Sequence, residues 1–390
     1  MKYLLLVIFA TLFPLGSAPQ ETNLIDGCVE NYDPNQDYFP DKVEVEYASG
    51  FEVEYFNNYR VLRVLSPWAG AAEPFEYVLV QCGTPAPEGY DNAQIIETPI
   101  DTLVSLSTTY LPHLIELGEL DSLLGVDSDS YIFTTTPEVI ELINQEKLAN
   151  VGLGANINLE IMLDLSPDLV IAYALGLPEY DAHPLLLDSG IHVALNAEYL
   201  ENTPLGQAEW IKFTALFFNK EALGNEYFNA LVAQYETLTT LTEAVESRPT
   251  VFAGVPFDGS WYVPGGQSYV AQLFDDAGAD YLWKDEESAS GVQMDFEVVL
   301  EKAQNADFWL NVGFWNSLED GLAEDERYAE FSAFQNGQVY NNNARQSESG
   351  GSDYYESAVI HPDVLLADLI HIFHPDLLPD HTLHYYQKLE

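Results

Sequence analysis

Between residues 221 and 247 apolar side chains return at every third or fourth position: Leu223, Tyr227, Leu231, Tyr235, Leu238, Leu241 and Val245. That spacing keeps one face of a helix apolar. The stretch has no proline, its only glycine is Gly224, and Pro249 stops it. At about 1.5 Å per residue it predicts a rod of roughly 35–40 Å, the height of a small domain. Strand-like and helix-like patterns alternate on both sides of it. The expected fold is therefore α/β: two Rossmann-like α/β lobes joined by a single long helix, with a cleft beside it.

Residues 41–82 follow a different period. Val43, Val45 and Tyr47, then Phe51, Val53 and Tyr55, then Tyr59 and Val61, then Phe75, Tyr77 and Leu79 alternate with polar neighbours. Ser49-Gly50, Asn57-Asn58 and Ala69-Gly70 supply turns. This predicts a small antiparallel β-meander within an N-terminal β-rich extension, 19–93. The first lobe, 94–220, takes strands at 103–106, 123–126, 148–151, 169–172 and 191–195, separated by helical stretches. The second lobe and tail, 248–390, repeat the logic from the strand at 250–255 to a helix over 363–373.

The first residues read as a leader. Lys2 precedes an apolar run from Leu4 to Leu15, and Gly16, Ser17 and Ala18 are small residues where a peptidase would cut. That is a signal peptide over 1–18, so the mature protein is expected outside the cytoplasm. Two cysteines remain, Cys28 and Cys82. In an exported protein such a pair reads as a disulfide closing a long loop, worth roughly 3–5 kcal/mol. Lipid attachment at Cys28 is the alternative, although Asp26 makes a poor cleavage box.

Charge narrows the partners. Thirteen Lys+Arg face 63 Asp+Glu, a formal net charge of −50. No basic run could bind nucleic acid or an anionic membrane. Gly152-Leu153-Gly154 lacks the third glycine of a dinucleotide site, and G-x-S-x-G, P-loop, C-x-x-C and H-E-x-x-H motifs are all missing. No enzymatic activity is expected.

One set of segments is more specific. Thr102 to Ser107 (TLVSLS), Leu117-Gly118, Leu124-Gly125-Val126, Val151-Gly152, and above all Asn158-Leu159-Glu160 running on to Pro167-Asp168 and Leu169 to Ala172 resemble the iron-siderophore and vitamin B12 family of substrate-binding proteins from ABC importers. The likeness extends over about 95–375. It implies two lobes on one long helix, periplasmic location, an ABC permease of the inner membrane as partner, no resident cofactor, and a ferric siderophore or cobalamin as ligand. It also implies that Glu160 and its counterpart Glu297, each in the first turn of a helix that leads into a strand, meet arginines of the permease. Helix-dipole complementation alone would also explain two such carboxylates.

Cleft residues are expected at strand ends: Ser107, Thr108 and Tyr173 in the first lobe, and Trp261, Tyr262, Trp315, Tyr340, Arg345 and Tyr354 in the second. Arg345 could pair an anionic ligand group or simply Glu348 or Asp353. A bare zinc or manganese binder is the second functional reading. Against it, His361, His371, His374, His381 and His384 crowd the tail, while the first lobe offers only His113, His183 and His192. An α/β hydrolase is the third reading.

Overall fold

The computed structural model describes residues 21–390; the leader expected over 1–18 lies outside them. The chain begins with a four-stranded sheet of β1 (Phe51–Tyr55), β2 (Tyr59–Val64), β3 (Phe75–Gln81) and β4 (Gln94–Thr98). The first three strands pair antiparallel, as alternation predicts, but β4 joins β3 in parallel. Residues 43–47, expected as a strand, form none. The buried carboxylate of Glu209 accepts the amides of Glu46, Tyr47 and Ala48 at 2.7–3.1 Å, which removes the donors a ladder would use. Glu201 does the same for Ser49 and Gly50. Two first-lobe carboxylates thus fasten the extension to the lobe. Among the described residues Cys28 and Cys82 form a disulfide at the edge of the same unit.

The first lobe is built on β5 (Leu103–Ser105), β6 (Leu123–Val126), β7 (Ala149–Asn150), β8 (Leu169–Ala172) and β9 (Val193–Leu195), all parallel, in the order β7-β6-β5-β8-β9. Strands buried on both faces need continuous apolar runs, which Leu169 to Ala172 provides, every residue buried. Chain order reverses between β5 and β8. Such a switch opens a crevice at the carboxyl ends of the strands.

The second lobe contains β10 (Thr250–Ala253), β11 (Pro256–Phe257), β12 (Ser260–Val263), β13 (Asp280–Tyr281), β14 (Val292–Met294), β15 (Phe308–Leu310), β16 (Val339–Asn341) and β17 (Gln387–Lys388). Its main sheet runs β13-β10-β15-β16-β17, parallel except for β17, which the tail adds at the edge. Strands β11, β12 and β14 form a separate antiparallel sheet.

The lobes are joined by the helix Glu221–Thr242, about 33 Å long at 1.5 Å per residue. It ends five residues short of the expected 247, where Thr242 Oγ1 donates to Asp276 O. Gly224 lets it approach the preceding helix, since a Cβ there would lie 3.0 Å from Ala215 Cβ. One core runs from Leu117, Ile211 and Ala215 of the first lobe through Phe228, Leu231 and Tyr235 of the helix to Val251 and Phe252 of the second. A continuous core of this kind resists bending at the joint. No helix among the described residues is long and apolar enough to cross a membrane.

Candidate functional site

The carboxyl ends of β5, β6, β8 and β9 assemble one wall. Ser107 caps the short helix Thr108–Tyr110, accepting from the Thr109 amide at 3.3 Å. Thr109 Oγ1 donates to Glu198 Oε1 at 2.8 Å, and Tyr110 OH to Asn196 O at 3.2 Å. Asp127 caps the helix Ser128–Phe133, and Asp181 gathers the amides of Leu175 and Leu177. Thr108 and Tyr173 are half-buried in this wall. Glu198 is fully enclosed, and burial pushes its carboxyl up to about 7. Burial also raises Asp127 and the Tyr173 phenol; Asp127, Asp129 and Asp181 add to the latter. Glu198 Oε2, Asn196 Nδ2 and Ser130 Oγ are buried without protein partners.

The opposite wall departs from expectation. Trp261 is fully buried: its ring lies 5.7 Å from Trp309 and 5.9 Å from Phe331, and its Nε1 donates to Ala253 O. The pleat of β12 turns Trp261 into the core and its neighbour Tyr262 outward. Trp315 is also core, packed 5.1 Å from both Trp309 and Tyr328 and donating to Glu324 Oε2. Tyr354 is buried against Tyr386. Tyr340 packs on Phe308 beneath the Lys388 ammonium. Expected at the cleft, Trp261, Trp315 and Tyr354 instead belong to the core, because each ring found aromatic neighbours that outweigh its loop position. Arg345 pairs with Asp353 at 2.7 Å.

The lobes meet at several places, including the approach of His361 to Glu116 at 3.8 Å and the packing of Leu205 and Ala208 into the second-lobe core. Glu356, 1% exposed, accepts the Thr135 amide and the hydroxyls of Thr134, Thr135 and Thr136. Beside this contact a crevice of about 770 Å³ lies between residues of 131–144 and the loop 344–349. At the other end a crevice of about 350 Å³ brings Tyr199 and Glu201 opposite Tyr262 and Tyr269. A third cavity, near Pro167 and His192, lies at the amino ends of β8 and β9, away from the junction.

Large apolar side chains are exposed in both lobes, on loops that follow strands and on the β11–β12 hairpin. Phe314 is 94% exposed, Phe257 75%, Tyr355 64% and Tyr180 58%, with Tyr262 and Tyr199 less so. A soluble surface rarely collects such groups without a partner for them. Apart from Tyr262, sequence reasoning missed these residues. The available signal was a nearby glycine turn: Gly313 precedes Phe314, and Asp258 and Gly259 follow Phe257, all with positive φ.

The histidines of the tail and His113 have partners within the protein, and His361 and His384 line a further inter-lobe crevice of about 310 Å³. His371 bonds Leu378 O, His374 bonds Gly278 O, and His381 bonds Asp368. His361 meets the Tyr227 hydroxyl, and His384 packs on Tyr385. His113 bonds Thr214 in the core, where burial lowers it to about 3. No group of three or more His, Cys, Asp or Glu side chains able to hold a metal occurs among the described residues. Glu160 is exposed in the first turn of the helix Leu159–Leu165, behind the Asn158 cap. Glu297 occupies the matching turn of Phe296–Ala303, its side chain 77% exposed and 3.4 Å from Arg327.

Comparison with known proteins fits this arrangement. An uncharacterised lipoprotein of Methanocaldococcus jannaschii is 26% identical over 309 residues, covering 76% of this chain and 71% of that protein. A possible iron-binding (periplasmic solute-binding) protein of Staphylococcus epidermidis superposes with a TM-score of 0.55 at 15% identity, covering 71% of this chain and 100% of the other. The periplasmic vitamin B12 binding protein of Vibrio cholerae gives 0.51 at 19%, covering 70% and 97%. These two structures share the fold. The family model described as periplasmic binding protein matches residues 103–345, from β5 through the linking helix to the loop after β16, and the chain belongs to that family.

Proposed function

We propose that this chain is the substrate-binding protein of an ABC importer and that it captures a metal chelate, a ferric siderophore or a corrinoid, between its lobes. The observation that carries the reading is the set of exposed aromatic rings in both lobes, Tyr180 and Tyr199 on the strand-end loops of the first and Phe257 and Tyr262 of the β11–β12 hairpin with Phe314 in the second. Flat apolar faces suit a bulky organic complex, whereas a bare ion needs converging ligands. The names of the two structural neighbours, one possibly iron-binding and one B12-binding, support the same class. Binding followed by hand-over requires no catalysis, and the chain is read as a non-enzyme.

The protein acts outside the cytoplasm. We read it as the soluble periplasmic form, since a disulfide would take up the Cys28 sulfur that a lipid needs, although lipoproteins among its relatives keep an anchored form as the alternative. Delivery uses Glu160 and Glu297, which the stiff helix holds at constant separation so that a permease dimer could offer an arginine to each. Charged rim contacts of this kind act on encounter and orientation.

Quenching of intrinsic tryptophan fluorescence against ferric siderophores, cobalamin and free Zn²⁺ tests the reading. Saturable binding of a chelate supports it, and binding of the free ion alone overturns it. Replacing both Glu160 and Glu297 by alanine leaves ligand affinity unchanged and abolishes stimulated ATP hydrolysis in a reconstituted importer; wild-type stimulation overturns the docking assignment.

A further inference from the structure

Carboxylates outnumber cations on the cleft walls. The loops after the five strands of the first lobe, 106–110, 127–136, 151–158, 173–182 and 196–203, hold the carboxylates Asp127, Asp129, Glu179, Asp181 and Glu201, together with Glu198, whose proton burial retains to about pH 7, and no lysine or arginine. In the second lobe Lys284 and Arg345 follow strands and are paired, Lys284 with Asp280 at 2.5 Å and Arg345 with Asp353 at 2.7 Å, while Lys388 lies over the Tyr340 ring of β16. Overall acidity does not force this result, because the chain has other cations and places them elsewhere. Arg60 and Lys212 are buried beneath the first lobe, and Lys147 and Arg248 precede β7 and β10 at the amino ends of the sheets.

The field reaches the wall itself, since neighbouring carboxylates add to burial in raising the phenols of Tyr110 and Tyr173. Like charges brought together at contact range repel strongly even where salt screens longer distances. The exposed rings of Phe257 and Phe314 present π faces, which attract cations and tolerate neutral groups. A buried acceptor without a protein partner, Glu198 Oε2, lies under the first-lobe wall.

Resting on the chelate reading above, we infer that the cleft selects its ligand by charge: it takes a neutral or cationic metal complex edged with amide, hydroxyl or amine donors and rejects polyanionic complexes. Arg345 is accordingly a partner of Asp353 and not an anchor for an anionic ligand.

The test is titration calorimetry of the full mature chain with four probes: a neutral ferric trihydroxamate, a cationic trihydroxamate, a triply anionic ferric tricatecholate, and cobalamin. At least one neutral or cationic complex binds at least about 100-fold tighter than the tricatecholate, the scale expected for like-charge juxtaposition. In the variant carrying Asp129→Asn and Glu179→Gln, both exposed positions, that gap narrows by roughly tenfold or more. If the tricatecholate binds as tightly as the neutral complexes, the charge inference is overturned while the chelate reading stands. If none of the four binds, both fall together.

Discussion

The main-chain amide of Thr135, in the first lobe, donates to the carboxylate of Glu356, in the second, across 2.6 Å. Hydroxyls of Thr134, Thr135 and Thr136 converge on the same carboxylate at 2.6–2.8 Å. Close by, a Cβ on Gly351 would sit 1.7 Å from Phe133 O, so only glycine permits the approach. One end of the cleft is therefore pinned. Glu356→Ala leaves these donors without an acceptor and costs roughly 2–5 kcal/mol, the range for truncating a buried hydrogen-bonded charge. Urea unfolding measures the loss, and small-angle scattering is expected to show the lobes more widely separated. A variant with unchanged stability and scattering would contradict the pinning.

Arg60 and Glu221 tie the N-terminal sheet to the first residue of the linking helix, both fully buried. Asn219 and Thr98 accept from the same guanidinium at 2.7 and 2.6 Å, and Phe39 packs on it. Removing either charge alone strands the other and costs roughly 3–5 kcal/mol. Replacing both, as Arg60→Met with Glu221→Leu, recovers part of that, with a coupling of about 1 kcal/mol or more in a double-mutant cycle. Additive losses would show that the pair does not join the two elements.

Glu198 makes stability depend on pH. Its carboxyl is raised from 4.5 to about 7 by burial, so the folded chain keeps a proton that the unfolded chain releases. The associated stability is complete below the unfolded value of 4.5 and is lost as pH rises to about 7. Glu198→Gln removes that slope and is expected to gain on the order of 3 kcal/mol above pH 7, at about 1.4 kcal/mol per unit. Melting temperatures of both proteins from pH 4 to 8 check the sign; parallel curves would contradict it.

Trp261 and Phe314 separate packing from binding. Trp261→Ala empties a site among Phe252, Trp309 and Phe331 and costs roughly 3–5 kcal/mol of stability. Phe314→Ala removes a ring that is 94% exposed. It leaves the melting temperature unchanged and weakens chelate binding by roughly 1–3 kcal/mol, as for an aromatic anchor. Unaltered affinity in the Phe314 variant would remove that ring from the site.

The parallel strands and the linking helix were legible because they rest on local period: the run Leu169 to Ala172 and the spacing around Leu231 and Tyr235 carry their own signal. The cleft was less so, because nonlocal partners decide it. Whether Trp261 or Tyr262 faces out depends on β12 pairing with β14, thirty residues later (Trp261 opposite Met294, Tyr262 opposite Gln293). Residues 43–47 alternate like a strand, yet Glu209 takes the amides of Glu46, Tyr47 and Ala48 from 161–163 positions away. Arg345 was left between two acids, and the geometry of the 353–355 turn brought Asp353 to it. Phe257 and Phe314 resemble ordinary core aromatics until their glycine turns are seen in three dimensions.

The central claim is that the ligand sits between the lobes at the carboxyl ends of the strands. Amide hydrogen exchange, with and without a bound chelate, tests it most directly. The account predicts protection in loops from both lobes at once, 173–182 and 196–203 in the first and 254–259 and 311–317 in the second. Protection confined to one lobe, or centred on the cavity near Pro167 and His192 at the opposite end of the first sheet, would contradict it.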